Sequence, residues 1–161
     1  MKKIILFILF INFQLANSQN LVTEYYLIRH SEKVDASKNP DLSEIGLKRA
    51  ESWNKILQDV KFDAVFSTDF KRTIQTANPV ARRLNLQIKI YNPNTLDLTE
   101  FKKETLGKKV LIVGHSNSTP EFVNKLINQK VYSQIDDTVF GNLYLVTIIN
   151  DVVTFKLLQL L

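Results

Sequence analysis

The sequence predicts a three-layer α/β sandwich with a mostly parallel central sheet and antiparallel strands at its C-terminal edge. Three observations lead there. Between residues 24 and 128, short apolar runs alternate with segments of helical periodicity, the pattern of consecutive strand–helix units. The run 110–113 is wholly apolar, as a strand covered on both faces must be. The final segments, 142–149 and 152–161, flank Asn150-Asp151, a pair suited to a tight hairpin turn.

The elements follow in order. Residues 24–28 form a first buried strand, followed by a polar loop over 31–41. Ser43 can cap a helix whose apolar positions Leu42, Ile45, Ala50, Trp53, Ile56, Leu57 and Val60 share one face, with Gly46 weakening its first turn. Ala64-Val65-Phe66 is a second strand ending at Ser67. Thr68-Asp69 supplies the cap and first-turn carboxylate of a helix over 69–83, kinked by Pro79. A third strand spans 86–91 and a short helix 99–106. After the fourth strand, Pro120 suits the first turn of a helix over 120–128. Right-handed crossovers place helices on both faces of the sheet.

The first 18 residues stand apart. Lys2-Lys3, an apolar run from Ile4 to Phe13 and the ending Ala16-Asn17-Ser18 describe a secretory signal peptide cleaved before Gln19. The run is shorter than the ~20 residues a membrane helix needs, so no stable membrane association is expected after cleavage. Residues 19–161 are then one domain, expected to be exported to a periplasm or secreted. The chain has no cysteine, which excludes disulfides and thiol chemistry.

Without Lys2 and Lys3 the formal charge falls from +5 to +3, with 19 basic against 16 acidic residues. Basic pairs such as Arg82-Arg83 and Lys102-Lys103 are scattered, with no concentrated stripe interleaved with aromatics. A nucleic-acid partner is therefore not expected. A small anionic substrate fits the balance.

The only two histidines, His30 and His115, each end an apolar strand. Ligands of open α/β sheets bind at the carboxyl ends of the parallel strands, so both histidines face one crevice. Arg29 precedes the first, and Arg72 falls in the first turn of the helix after strand two, where unpaired N–H groups also favour an anion. Two guanidiniums and two imidazoles suit a tetrahedral dianion, because the arginine fork matches phosphate oxygens. Two histidines without a further ligand at typical spacing argue against zinc.

These residues also carry a resemblance. Leu27-Ile28-Arg29-His30-Ser31-Glu32-Lys33, Leu42-Ser43-Glu44-Ile45-Gly46 through Ala50, Phe66-Ser67-Thr68-Asp69-Phe70-Lys71-Arg72 through Ala77, and Val113-Gly114-His115-Ser116 resemble the histidine phosphatase superfamily, in family order. The resemblance implies a phosphoglycerate mutase-like fold and a metal-independent phosphoric monoester hydrolase that needs no cofactor. His30 would be the nucleophile, becoming a phosphohistidine that water then hydrolyses. Arg29 and Arg72 would bind the phosphoryl oxygens, and His115 would contact the same group as a protonated donor. Asn117, Lys33 and Ser116 would touch phosphate or substrate, a small phosphorylated molecule. The leaving oxygen needs a general acid. The family places a carboxylate between strand three and the second histidine, where Asp97, Glu100 and Glu104 stand, and Glu100 is preferred. The short chain leaves no room for large lid insertions, which favours hydrolysis over intramolecular transfer. Two alternatives stay open: a catalytically silent phosphate- or phosphosugar-binding module on this fold, and a phosphohistidine phosphatase acting on a partner protein.

Overall fold

Six strands and four helices alternate through residues 21–160, the part of the chain described by the computed structural model. The expected leader, 1–18, lies outside the described residues. In chain order the elements are β1 (Val22–Arg29), α1 (Glu44–Ile56), β2 (Ala64–Ser67), α2 (Lys71–Arg83) and β3 (Ile88–Ile90). They continue with α3 (Leu98–Glu104), β4 (Lys109–Gly114), α4 (Ser118–Ile127), β5 (Asn142–Ile149) and β6 (Val152–Gln159). The sheet order is β3-β2-β4-β1-β5-β6. Strands β1 to β4 pair in parallel, while β5 and β6 add antiparallel at the C-terminal edge, as the sequence predicts. Asn150 and Asp151 both take positive φ, 48° and 68°, the handedness a tight turn between twisted strands requires.

Strict alternation along the central strands builds two cores. Tyr25, Leu27, Val110 and Ile112 point to one face, where α3 and α4 bring Phe101, Phe122, Val123 and Leu126. Ile28, Leu111 and Val113 point to the other, against Trp53 and Leu57 at α1 and Ala77, Val80 and Ala81 of α2. Both faces are covered, which is why β4 reads as a continuous apolar run.

Three local expectations differ. The buried stripe of α1 runs through Gly46, Ala50, Trp53 and on to Leu57, whereas Ile45 and Ile56 are 64% and 41% exposed. Each lies one residue, about 100° of rotation, off that stripe. Gly46 does not merely weaken the turn. A Cβ there would sit 2.1 Å from the Glu32 carbonyl, so only glycine lets α1 approach the loop behind β1. Helix α2 starts at Lys71, with Phe70 at the N-cap and no side-chain cap of its own. The Lys71 N–H is satisfied by Asn39 Oδ1 at 2.9 Å, from the 31–41 loop, because Thr68 is committed elsewhere.

Trp53 is fully buried in the second core. Trp53→Ala is expected to cost about 3–5 kcal/mol in urea unfolding, and Ile45→Ala less than about 0.5 kcal/mol.

Candidate active site

The register of β1 with β4 builds the site. Arg29 pairs with Gly114 at the last rung, and the His30 N–H donates to the Gly114 carbonyl at 2.9 Å. The residues one step beyond, His30 and His115, therefore emerge side by side, their ring centroids 5.5 Å apart at an edge-to-face angle of 66°. Gly114 permits this turn: a Cβ there would lie 2.7 Å from Thr119 Oγ1 and 3.1 Å from the Tyr91 hydroxyl.

His30 is 5% exposed, and its Nδ1 lies 2.7 Å from the Ser31 carbonyl. A carbonyl only accepts, so Nδ1 carries the proton and Nε2 keeps its lone pair. Burial is the main reason its pKa is pushed down to about 3. The Ser31 carbonyl opposes that shift, while Arg29, His115 and Arg72 add to it. The Ser31 peptide is itself held by Thr76, whose Oγ1 accepts the Ser31 N–H at 2.9 Å and donates to the Arg72 carbonyl at 2.8 Å. Orientation of the His30 ring is thus tied to the helix that carries Arg72.

His115 is fixed in the other tautomer. Its Nδ1 faces Arg72 Nη2 at 3.4 Å, and a guanidinium only donates, so the proton lies on Nε2. Nε2–H donates to Thr68 Oγ1 at 2.9 Å, and Thr68 Oγ1 donates on to Thr73 Oγ1 at 3.0 Å. Phe70 packs edge-on to the ring at 5.0 Å. The expectation of a protonated His115 concerns the phosphate-bound site. Burial first, then Arg72 and Arg29, push its pKa down to about 4, so it is neutral at pH 7. A phosphate dianion between the cations would oppose that shift.

Both arginines are anchored yet incompletely used. Arg29 Nη1 donates to the carbonyls of Asp136, Asp137 and Val139 at 2.9, 3.2 and 3.0 Å, and Nη2 meets Asp137 Oδ1 at 3.3 Å. Its guanidinium lies 4.4 Å over the Phe140 ring, and that of Arg72 lies 4.4 Å over Phe70. The Nε of each is buried without a protein partner. Buried charged donors left unpaired are costly, and an anion's oxygens would satisfy them. Glu32 holds a bidentate bond to Arg49, 2.8 and 2.6 Å to one carboxylate oxygen and 2.9 Å to the other. That bonding outweighs its burial and keeps its pKa below the usual carboxylate range.

A cleft of about 620 Å³ opens beside His115. Thr68, Asp69, Tyr91, Asn117, Ser118 and Glu121 contribute to its lining. Of the expected contacts, Asn117 is brought there. Ser116 is not: its carbonyl accepts from Ile135, and Ser118, whose Oγ receives the His115 N–H at 3.1 Å, lines the cleft instead. Lys33 is exposed, bridged through its backbone to Leu42. Glu100 is not brought there either. It faces Lys103 at 3.8 Å on exposed α3 and lines a different cavity; Asp97 caps α3, and Glu104 pairs with Lys89. The carboxylates in the cleft are Asp69 and Glu121, which sequence reasoning missed. Asp69 is two residues past the end of β2, at the same sheet edge as the histidines, and that position was the available signal. Among the described residues, no cluster of three His, Asp or Glu is arranged to hold a metal ion.

Residues 25–93, which include Arg29, His30 and Arg72, match the model of the histidine phosphatase superfamily (branch 1). The fold is phosphoglycerate mutase-like. The chain is similar to a phosphoglycerate mutase from Bacillus anthracis at a TM-score of 0.69 and 14% identity, covering 87% of this chain and 94% of that one. It is also similar to an alpha-ribazole phosphatase from Shigella flexneri (TM-score 0.65, 16% identity, 84% and 96% covered). A third is a phosphoserine phosphatase from Entamoeba histolytica, solved with phosphoserine (TM-score 0.63, 12% identity, 83% and 95% covered). A comparison with curated protein sequences finds no match.

The depressed histidines have a consequence for stability. Below pH 6.5 the unfolded chain binds protons at both rings that the folded chain refuses until about pH 3 and 4. Stability is therefore complete above pH 6.5 and falls as the pH drops, by on the order of 1 kcal/mol per pH unit for His30. Urea unfolding at pH 7 and pH 5 is expected to show that loss, and His30→Gln to reduce it.

Proposed function

We propose that this protein is an exported phosphatase that hydrolyses a phosphomonoester or phosphoramidate through a phosphohistidine on His30. The single observation that carries the reading is the fixed tautomer of His30: Nδ1–H is bound to a carbonyl, and Nε2 is neutral and unprotonated. A nucleophilic ring nitrogen must have that lone pair, and burial between cations maintains it at neutral pH. The match of residues 25–93 to the superfamily model and the likeness in fold to solved phosphatases support the reaction class.

In the first step Nε2 attacks phosphorus as the P–O bond to the leaving group breaks. The unpartnered Nε–H groups of Arg29 and Arg72 donate to the phosphoryl oxygens, stabilising the charge that spreads over them. His115 gains a reason to protonate once a dianion is bound. The leaving oxygen faces the cleft and takes its proton from Glu121 on that wall. Water then attacks phosphorus, the P–N bond breaks, and phosphate leaves with His30 neutral again. Export rests on the pattern of residues 1–18.

With a generic phosphomonoester, His30→Ala is expected to abolish turnover and acid-labile ³²P labelling. Glu100→Gln should stay within about twofold of wild type. Undiminished hydrolysis by His30→Ala would reject the mechanism; a wild-type protein that binds phosphate without labelling would be a silent binding module. N-terminal sequencing of the protein from a periplasmic or culture fraction should read from Gln19, and an intact Met1 in the cytosol would reject export.

A further inference from the structure

The cleft beside His115 differs in charge from the phosphoryl site it adjoins. At the phosphoryl end stand Arg29 and Arg72. The cleft itself is lined by no lysine or arginine, but by the carboxylates Asp69 and Glu121 and the carboxamides Asn92, Asn94 and Asn117. Glu121 is neutralised by Lys125 at 2.8 Å, whereas exposed Asp69 has no ion-pair partner among the described residues. Tyr91, only 5% exposed, contributes to the wall of this cleft.

We propose that this cleft holds the alcohol of the substrate and selects alcohols that carry no carboxylate, favouring those that carry an amine. The proposal rests on the phosphatase reading for the placement of phosphate between Arg29 and Arg72. A molecule with a phosphate at one end and an ammonium at the other matches the sign of charge at both ends of the site. A carboxylate in the cleft meets Asp69 and finds no cation to replace its hydration. Two unit charges about 10 Å apart at an effective dielectric of about 20 change affinity by ~10-fold. The chain as a whole is basic, so net charge alone predicts the opposite preference.

Phosphonates test this without turnover, because their P–C bond is not hydrolysed by this chemistry. Dissociation constants of the wild-type protein are measured by calorimetry for inorganic phosphate, aminoethylphosphonate, hydroxyethylphosphonate and carboxyethylphosphonate. The expected order of affinity is amine, then hydroxyl, then carboxylate, with about tenfold or more between the extremes. In Asp69→Asn that ratio should collapse to within about threefold while inorganic phosphate binds no more weakly than before. Equal or tighter binding of the carboxylate compound overturns the proposal, as does a ratio unchanged by Asp69→Asn. Failure of all three phosphonates to bind while inorganic phosphate binds also overturns it. If inorganic phosphate does not bind, the phosphatase reading falls first and this proposal with it. Absence of turnover with intact phosphonate selectivity rejects hydrolysis alone.

Discussion

The parallel pairing of β1 with β4 is the constraint on which the rest of the site depends. Their register ends both strands on one rung, Arg29 opposite Gly114, and the next residue on each is a histidine. Nothing in either loop has to be adjusted to bring the rings together, because the sheet's hydrogen bonds already do so. The pairing is held by residues far from any chemistry: Leu27 and Ile112 on one face, Ile28 and Val113 on the other, each buried under a helical layer. A site placed on strand ends this way inherits the rigidity of the most buried part of the protein.

Opposite tautomers on two neighbouring imidazoles follow from what surrounds them. Each ring has one nitrogen facing a group of fixed polarity: a carbonyl at His30 and a guanidinium at His115. The carbonyl demands a proton and the guanidinium forbids one. The division of labour between the histidines is thus written into backbone and arginine geometry, and Thr68, Thr73 and Thr76 hold that geometry with short hydroxyl bonds.

Much of this was legible in the sequence, for a physical reason. Strand ends are marked by where apolar alternation stops, so His30 and His115 are placed at one sheet edge by pattern alone. Arg72 follows from the helix that begins just beyond β2. The carboxylate of the cleft was not legible through Glu100, because Asp97, Glu100 and Glu104 share a polar stretch whose side chains look alike until the orientation of α3 is known. Thr68 reads locally as a helix cap, and only the long-range contact with His115 shows why it is not one. Ser116 and Ser118 are equally close to His115 in sequence, and the turn at Gly114 decides that Ser118 lines the cleft. On α1, Ile45 counts as apolar by type but falls one residue off the buried stripe set by Trp53.

The clasp of Arg29 on three carbonyls of one loop gives this residue a second duty. Its Nη1 is a principal tie between β1 and the long segment joining α4 to β5, which has no helix or strand of its own. A lysine there has charge but no planar fork, so it cannot hold the carbonyls of Asp136 and Val139 and still present a donor to phosphate. Kinetic losses at Arg29 therefore combine a missing phosphate ligand with a loosened wall, whereas losses at Arg72 are free of that loop. The two arginines look equivalent from the phosphate's side, but from the chain's side they fasten different loops, Arg29 the segment before β5 and Arg72 the 31–41 loop through the Lys38 carbonyl at 3.4 Å.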